Sequence, residues 1–359
     1  MSNFLTLHIL VSLPWSNLNR DDAGMPKRLY QGGVLRGQLS SQSIKRGIRN
    51  RYEAASGNTS RRTRNFIERV AERALELRPD GDEKTAQKRA KAIITKLTNA
   101  SKEGGSEKTA SVWLSDEEVE TAAAKIAEEL APDSEAAADK DDLSFIKEGC
   151  TGSLAIASFG RMFANAPERN TEAAIAVSPA VSTHEAIIET DYFSTVDDDP
   201  TEKQGAGSSY LGMAAFTNGV FYRSLTIDKK QLAQSWTGMT ADTAREQLSH
   251  MVDALIYGLP RGKKNATAPF VMPALVLAEE QAHRIAYDFE APVTIGDEGG
   301  YMAPSIAHLE NQFTAARRFD PDNFGLEIAA GTEIDQLSID IEKGTKTDLV
   351  NKVVDWILE

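Results

Sequence analysis

The sequence predicts an α+β fold in which a helical segment interrupts a β-sheet core. Three observations carry this. The first residues alternate at period two, residues 60–148 show helical spacing with few β-branched strand patterns, and after Cys150 the period returns to two. The 359 residues suffice for about two domains.

Residues 4–13 place Leu5, Leu7, Ile9, Val11 and Leu13 on one face, with Phe4 and Leu10 weighting the other, as in a central strand. Residues 14–39, rich in Pro, Asn, Asp and Gly, show no clear period and read as a functional loop. A helix starts at Ser40–Ser41, both good N-caps, and runs to about Ala55. Ile44, Ile48, Tyr52 and Ala55 make its apolar stripe; Gln42, Lys45, Arg46 and Arg49 fall on the other side. Helices are predicted over 61–78, 83–99 and 115–131, with linker-like Gly104–Gly105 and 132–142, and 116–148 is strongly acidic. This is an inserted helical subdomain. Strands follow at 153–162 and 173–181, then a loop-like 187–217, a strand at 218–227, a helix at 240–257, a strand at 270–279 interrupted by Pro273, and helices at 305–318 and 347–358. Without the insertions the order is βαββαβ, the ferredoxin-like or RRM-type pattern. Such sheets often serve RNA, although a fold alone assigns no function.

Composition narrows the classes. Hydrophobic residues are 41% and charged residues 26%, ordinary for a soluble globular protein. No apolar run is long enough to span a membrane, and the N-terminus lacks a basic region and a cleavage site, so a buried strand explains it better than a signal peptide. The single Cys150 excludes a disulfide framework and two-cysteine zinc sites; it reads as a buried small residue, and a reducing cytoplasm is the expected home. The net charge of −13 argues against nucleic acid at first, but it is unevenly sorted. Residues 1–70 hold 12 Lys/Arg against 4 Asp/Glu, a balance of +8, and the rest carry −21. This suggests one polyanion-facing region and one acidic, solvating one, although a solvated basic face has the same signature.

Catalytic and cofactor motifs fail. His8, His184, His250, His283 and His308 show no metal-ligand spacing. GLPRGKKN (258–265) lacks phosphate-loop spacing, and GAGSSYLG (205–212) is no dinucleotide fingerprint. Asp21–Asp22 are paired carboxylates that either hold a metal or order their loop. No cofactor and no metal are expected.

The informative text is NLNRDDAGMPKRLYQGGVLRGQLSSQSIKRGIRNRY (17–52). A glycine-rich segment lets backbone amides approach an anion, and it leads into a serine-rich helix start whose free N–H groups favour phosphate. The row Gln42, Lys45, Arg46 and Arg49 then suits a phosphate backbone, or equally an ordinary basic helix face.

These residues resemble a known family. NLNRDD after a first strand, RGQLSSQSIKRGIR, SFGRMFA (158–164), AVSTHEA (180–186), DYFSTVDD (191–198) and TNGVFYR (217–223) occur in the order seen in the CasC backbone subunits (RAMP superfamily) of the type I-E CRISPR Cascade complex. They are spread over most of the chain; 60–148 and 285–345 match only in character and position. The resemblance implies a hand: an RRM-like palm (1–58, 150–186 and 218–359), helical fingers (59–149) and a β-hairpin thumb (187–217). It implies copies joined head to tail along a CRISPR guide RNA, kinking it at regular intervals and presenting it to target DNA, together with other Cascade subunits and a recruited helicase-nuclease. No enzymatic activity is implied. Arg20, Ser40, Gln42, Lys45, Arg46, Arg49 and Arg161 are then RNA-binding candidates. Met162 resembles the family's apolar wedge beside a displaced base, and Phe193 and Ser194 match the thumb position at the kink. Considered alone, Met162 fits a core position equally well and Phe193 a hairpin anchor. Lys263 and Lys264 are candidates for target-strand DNA contact, or solvated turn residues. The fingers depart from the family in composition, and APERNTE (166–172) departs between the two predicted strands. Two rival readings stand beside this one: a type III-like subunit cleaving target RNA with Asp21 or Asp22, and a standalone RRM-like RNA-binding protein.

Overall fold

The computed structural model describes residues 2–98, 100–103, 106–131, 143–195 and 210–359. The linker-like Gly104–Gly105 and 132–142, the end of the 191–198 motif and most of 205–212 lie outside them.

The first strand, β1 (Phe4–Ser16), is central, as its alternation predicts. Leu5, Leu7, Ile9, Val11 and Leu13 enter one core; Leu10 enters another on the opposite face. The expected loop 14–39 instead holds a hairpin, β2 (Arg28–Gln31) and β3 (Val34–Leu39). Its turn is Gly32–Gly33, both at positive φ, which matches the twist of a two-residue hairpin and was the missed signal. Helix α1 (Ser41–Ser56) follows with Ser40 as N-cap and Gly57 in the left-handed region at its end.

The insertion is built on α2 (Phe66–Leu77), α3 (Glu83–Leu97) and α4 (Asp116–Glu129), which share their own apolar core. It is less purely helical than predicted. A ribbon pairs β4 (Ser60–Thr63) with β7 (Val112–Ser115), and a second pairs β5 (Ala100–Glu103) with β6 (Ser106–Thr109).

The predicted strand 153–162 is a helix, α5 (Leu154–Phe159). Leu154 to Ser158 are all buried, so the segment has no polar face and its apolar run could not distinguish strand from helix. Ser153 caps it and Gly160 at φ 72 stops it. The predicted strand 173–181 is two short ones, β8 (Ile175–Val177) and β9 (Ala180–Ser182). The segment 187–217, loop-like by pattern, contains β10 (Ile188–Thr195), paired from Ile188↔Thr217 to Thr195↔Tyr210 with the long β11 (Tyr210–Asp228). Then come α6 (Lys229–Ser235), α7 (Ala244–Tyr257), the single turn α8 (Lys264–Thr267), β12 (Leu275–Gln281), α9 (Met302–Phe319), β13 (Phe324–Ala330), which no sequence pattern announced, and α10 (Lys346–Leu358). Cys150 is half-buried, not buried.

The main sheet runs β13-β12-β1-β11-β9-β3-β2, with β8 and β10 also on β11 and every ladder antiparallel. One face packs on α1, α7 and α10. The other packs on α9 and the segment around Tyr287 and Phe289. Between sheet and α9 lies a buried polar network: His8 Nε2 is 2.7 Å from Glu279, Tyr287 donates to Glu279 at 2.8 Å, and Arg317 donates to it at 2.6 Å. Burial opposes the Glu279 charge, but His8 and Arg317 outweigh it and hold the carboxyl below its ordinary value.

Two fully buried arginines in the family motifs serve the fold. Arg223 donates to the carbonyls of Gly258 (2.5 Å), Ile256 (2.6 Å) and Leu255 (3.2 Å), satisfying the end of α7. Burial pushes it down to about 10. Arg36 donates to Ser182, Phe289 and Glu290 carbonyls and pins the AVSTHEA corner.

Candidate nucleic-acid interface

The exposed side of α1 forms the floor of an open cleft of about 550 Å³. Gln42, Lys45, Arg46 and Arg49 line it together with Arg62, Ser111 and Trp113 from the β4–β7 ribbon and the turn Phe159–Met162. Helical spacing placed the first four on one face; the fold supplies the facing wall. Among the described residues no carboxylate belongs to that lining; Glu53 lies beside Arg49, 3.8 Å from Nε. Burial lowers the pKa of Lys45, whose ammonium sits 6.0 Å from the Phe159 ring. Burial also lowers that of Arg49; Glu53 works against the shift and the neighbouring Arg46 and Arg62 add to it. Cations desolvated and crowded by like charge are relieved by an anion, so the arrangement suits an anionic ligand.

Met162 is 81% exposed on the lip, which excludes the core alternative for it. Arg161 is not the phosphate contact that the resemblance implies. Its guanidinium is buried and donates two 2.6 Å bonds to Glu118 of α4, so it locks the cleft wall to the insertion and is not available to phosphate. Ser40 is likewise spent on helix capping: its hydroxyl accepts from the Ser43 amide and donates to the Ser43 hydroxyl. Arg20 is exposed but lies outside the cleft, in a shallow depression with Asn19, Asp21, Asp22 and Gly262. Asn19 ties that loop to the start of α1 through Ser40 N–H (2.8 Å) and Ser43 Oγ (3.0 Å). Asp21 accepts from the amides of Ala23 and Met25, both at 2.9 Å, which is the loop-ordering role. Asp22 is exposed. Among the described residues no three His, Cys, Asp or Glu side chains converge as metal ligands.

Phe193 (44% exposed) and Ser194 lie on the hairpin strand β10 and do not line the cleft. Exposed Tyr192, Leu211 and Met213 share that hairpin. Lys263 stands 5.0 Å over the ring of Phe216 near the hairpin base, while Lys264 lines a separate groove with Arg51, Arg261 and Phe270. Arg62, Ser111, Trp113 and Phe159 escaped sequence reasoning. Only the RRTR run (61–64), already part of the basic N-terminal count, carried a signal for one of them.

A family model described as CT1975-like protein matches residues 5–355. The chain belongs to the CT1975-like family. A search of curated protein sequences gives no match. Among solved structures, this CT1975-like chain is similar to one from a "CRISPR RNA-guided surveillance complex, pre-nicking": TM-score 0.83, 26% identity, covering 99% of this chain and 100% of that one. A second, from a "CRISPR RNA-guided surveillance complex", has TM-score 0.72 and 24% identity, covers 98% and 99%, and speaks to the fold. Family and structure agree with the resemblance to Cascade backbone subunits drawn from the motifs. No described helix is long and apolar enough to cross a membrane.

Proposed function

We propose that this chain is a non-enzymatic, guide-RNA-binding backbone subunit of a Cascade-type surveillance complex in the cytoplasm. The observation that carries this is the cleft in which Lys45, Arg46, Arg49 and Arg62 meet, with no carboxylate in its lining among the described residues. Such a row grips phosphates of any sequence, as a subunit that accepts every spacer must. The 26% identical structure, from an RNA-guided complex, supports the same ligand.

The core order β12-β1-β11-β8/β9 with α1 and α7 on one face supports an RRM-like palm. The use of that palm differs from an open RRM sheet, because α9 covers the other face and RNA runs along α1 instead. The insertion acts as fingers and the β10–β11 hairpin as a thumb. Phe193 and Ser194 stand apart from their own chain's cleft, which suits a thumb that kinks the guide at a neighbouring copy's cleft in a head-to-tail filament. Other Cascade subunits, the target DNA strand paired to the guide, and a recruited helicase-nuclease complete the partners.

Co-expression with a repeat–spacer RNA and Cascade subunits, followed by nuclease footprinting of the copurified RNA, tests this. Evenly spaced protection is expected; RNA-free protein or one protected patch leaves a lone RNA-binding module. Incubation with complementary target RNA and Mg²⁺ is expected to leave that RNA intact. Cleavage abolished by Asp22→Ala would make the subunit a nuclease instead.

A further inference from the structure

Arg62 and Trp113 face each other directly across the β4–β7 ladder, so both project from one face of the ribbon toward α1. Trp113 is held at both ends. Its Nε1 donates to Ser60 Oγ at 2.8 Å, and its backbone carbonyl accepts from Arg161 at 3.3 Å. Ser60 in turn donates to Glu53 through both its amide (3.0 Å) and its hydroxyl (2.5 Å). The Arg49 guanidinium lies over the Trp113 ring at 5.3 Å with Glu53 on its flank. A ring face and a carboxylate together restrict where that long side chain points. Arg62 is exposed; among the described residues it holds Ser111 Oγ at 3.3 Å through Nε and has no carboxylate partner in the cleft lining.

Resting on the guide-groove reading, we propose that the β4–β7 ribbon is a second RNA-contacting wall: Arg62 binds a guide phosphate, and Trp113 is a positioning residue that aims Arg49 at the one beside it. The clamp therefore closes between α1 and the insertion, and not along α1 alone.

Binding of the full chain to single-stranded oligouridylate is measured over a salt series for wild type, Arg49→Ala, Arg62→Ala, Trp113→Ala, Trp113→Phe and the Arg49→Ala/Trp113→Ala double variant, with melting curves as the folding control. Arg62→Ala and Arg49→Ala are each expected to flatten the slope of log K against log salt by about 0.7, one phosphate on a single strand. Trp113→Ala is expected to weaken binding on the order of tenfold, Trp113→Phe to recover most of that by restoring a ring face, and the double variant to bind no worse than Arg49→Ala alone. An unchanged slope in Arg62→Ala, or independent losses from Arg49 and Trp113, overturns the inference while a flattened slope in Arg49→Ala keeps the groove reading. Unchanged slopes in both arginine variants overturn both. If Trp113→Ala does not fold, Arg62→Ala and Trp113→Phe decide the matter: a slope at the wild-type value in the former, or tenfold weaker binding in a folded Trp113→Phe, overturns the proposal.

Discussion

Five cations around one cleft, Lys45, Arg46, Arg49, Arg62 and Arg161, differ in what holds them, and that decides what each is worth to a ligand. Arg161 has its bidentate carboxylate already, buried, whereas Arg49 has the Trp113 ring face, a flanking carboxylate at 3.8 Å and two cations nearby. Arg49→Ala should weaken guide binding about equally for unrelated spacers, with the salt slope lower by roughly 0.7. Filter binding with several spacers checks this; spacer-dependent loss would mean that Arg49 reads bases. Lys45 adds a pH signature. Burial lowers its pKa in the free protein, and a phosphate raises it, so binding takes up a proton only once the pH passes that lowered value. Affinity should fall as pH rises from that lowered value through the ordinary lysine value of about 10.4, and Lys45→Arg should remove the fall. Titrating affinity in alkaline buffers measures it. These side chains were legible in the sequence because i, i+3, i+4 spacing on a capped helix leaves one solution. The Arg161 pairing was not, because its partner Glu118 lies 43 residues away.

Elements were legible where one periodicity ruled. β1, α1, α7, α9 and α10 follow their alternating or helical patterns. The failures have two causes: burial on every side, as in α5, erases periodicity, and short hairpins such as β2–β3 depend on a two-glycine turn more than on alternation. How α1 meets its neighbours was equally hidden. Gly47 lies where a Cβ would collide with the backbone carbonyl of Leu259, so α1 approaches the α7–α8 connection closely. Alanine should help an isolated helix by about 1 kcal/mol, but here overpacking against backbone wins. Gly47→Ala should therefore destabilise the protein by about 1–3 kcal/mol, and urea unfolding would show the midpoint falling. A midpoint that rises would mean the connection yields freely.

At the scale of the whole molecule, the charge sorting in the sequence becomes spatial: Lys45, Arg46, Arg49 and Arg62 all come from the basic first 70 residues and meet in one cleft. The facing wall, whose strands β4 and β7 are separated in sequence by α2, α3 and the β5–β6 ribbon, could not be read from local pattern. Nor could the cover that α9 lays over the sheet, which withdraws the surface an RRM-type reading would have offered to RNA. The proposed function therefore has a positional consequence: guide RNA should lie along α1. Ultraviolet crosslinking of the copurified ribonucleoprotein, with the crosslinked peptides mapped by mass spectrometry, tests it most directly. Crosslinks concentrated in peptides spanning 41–49 and 159–163, with hairpin residues 192–194 joining them only when copies assemble, are the predicted result. Crosslinks concentrated on α9 or on the β12–β13 side, with the α1 peptides unmodified, would contradict it.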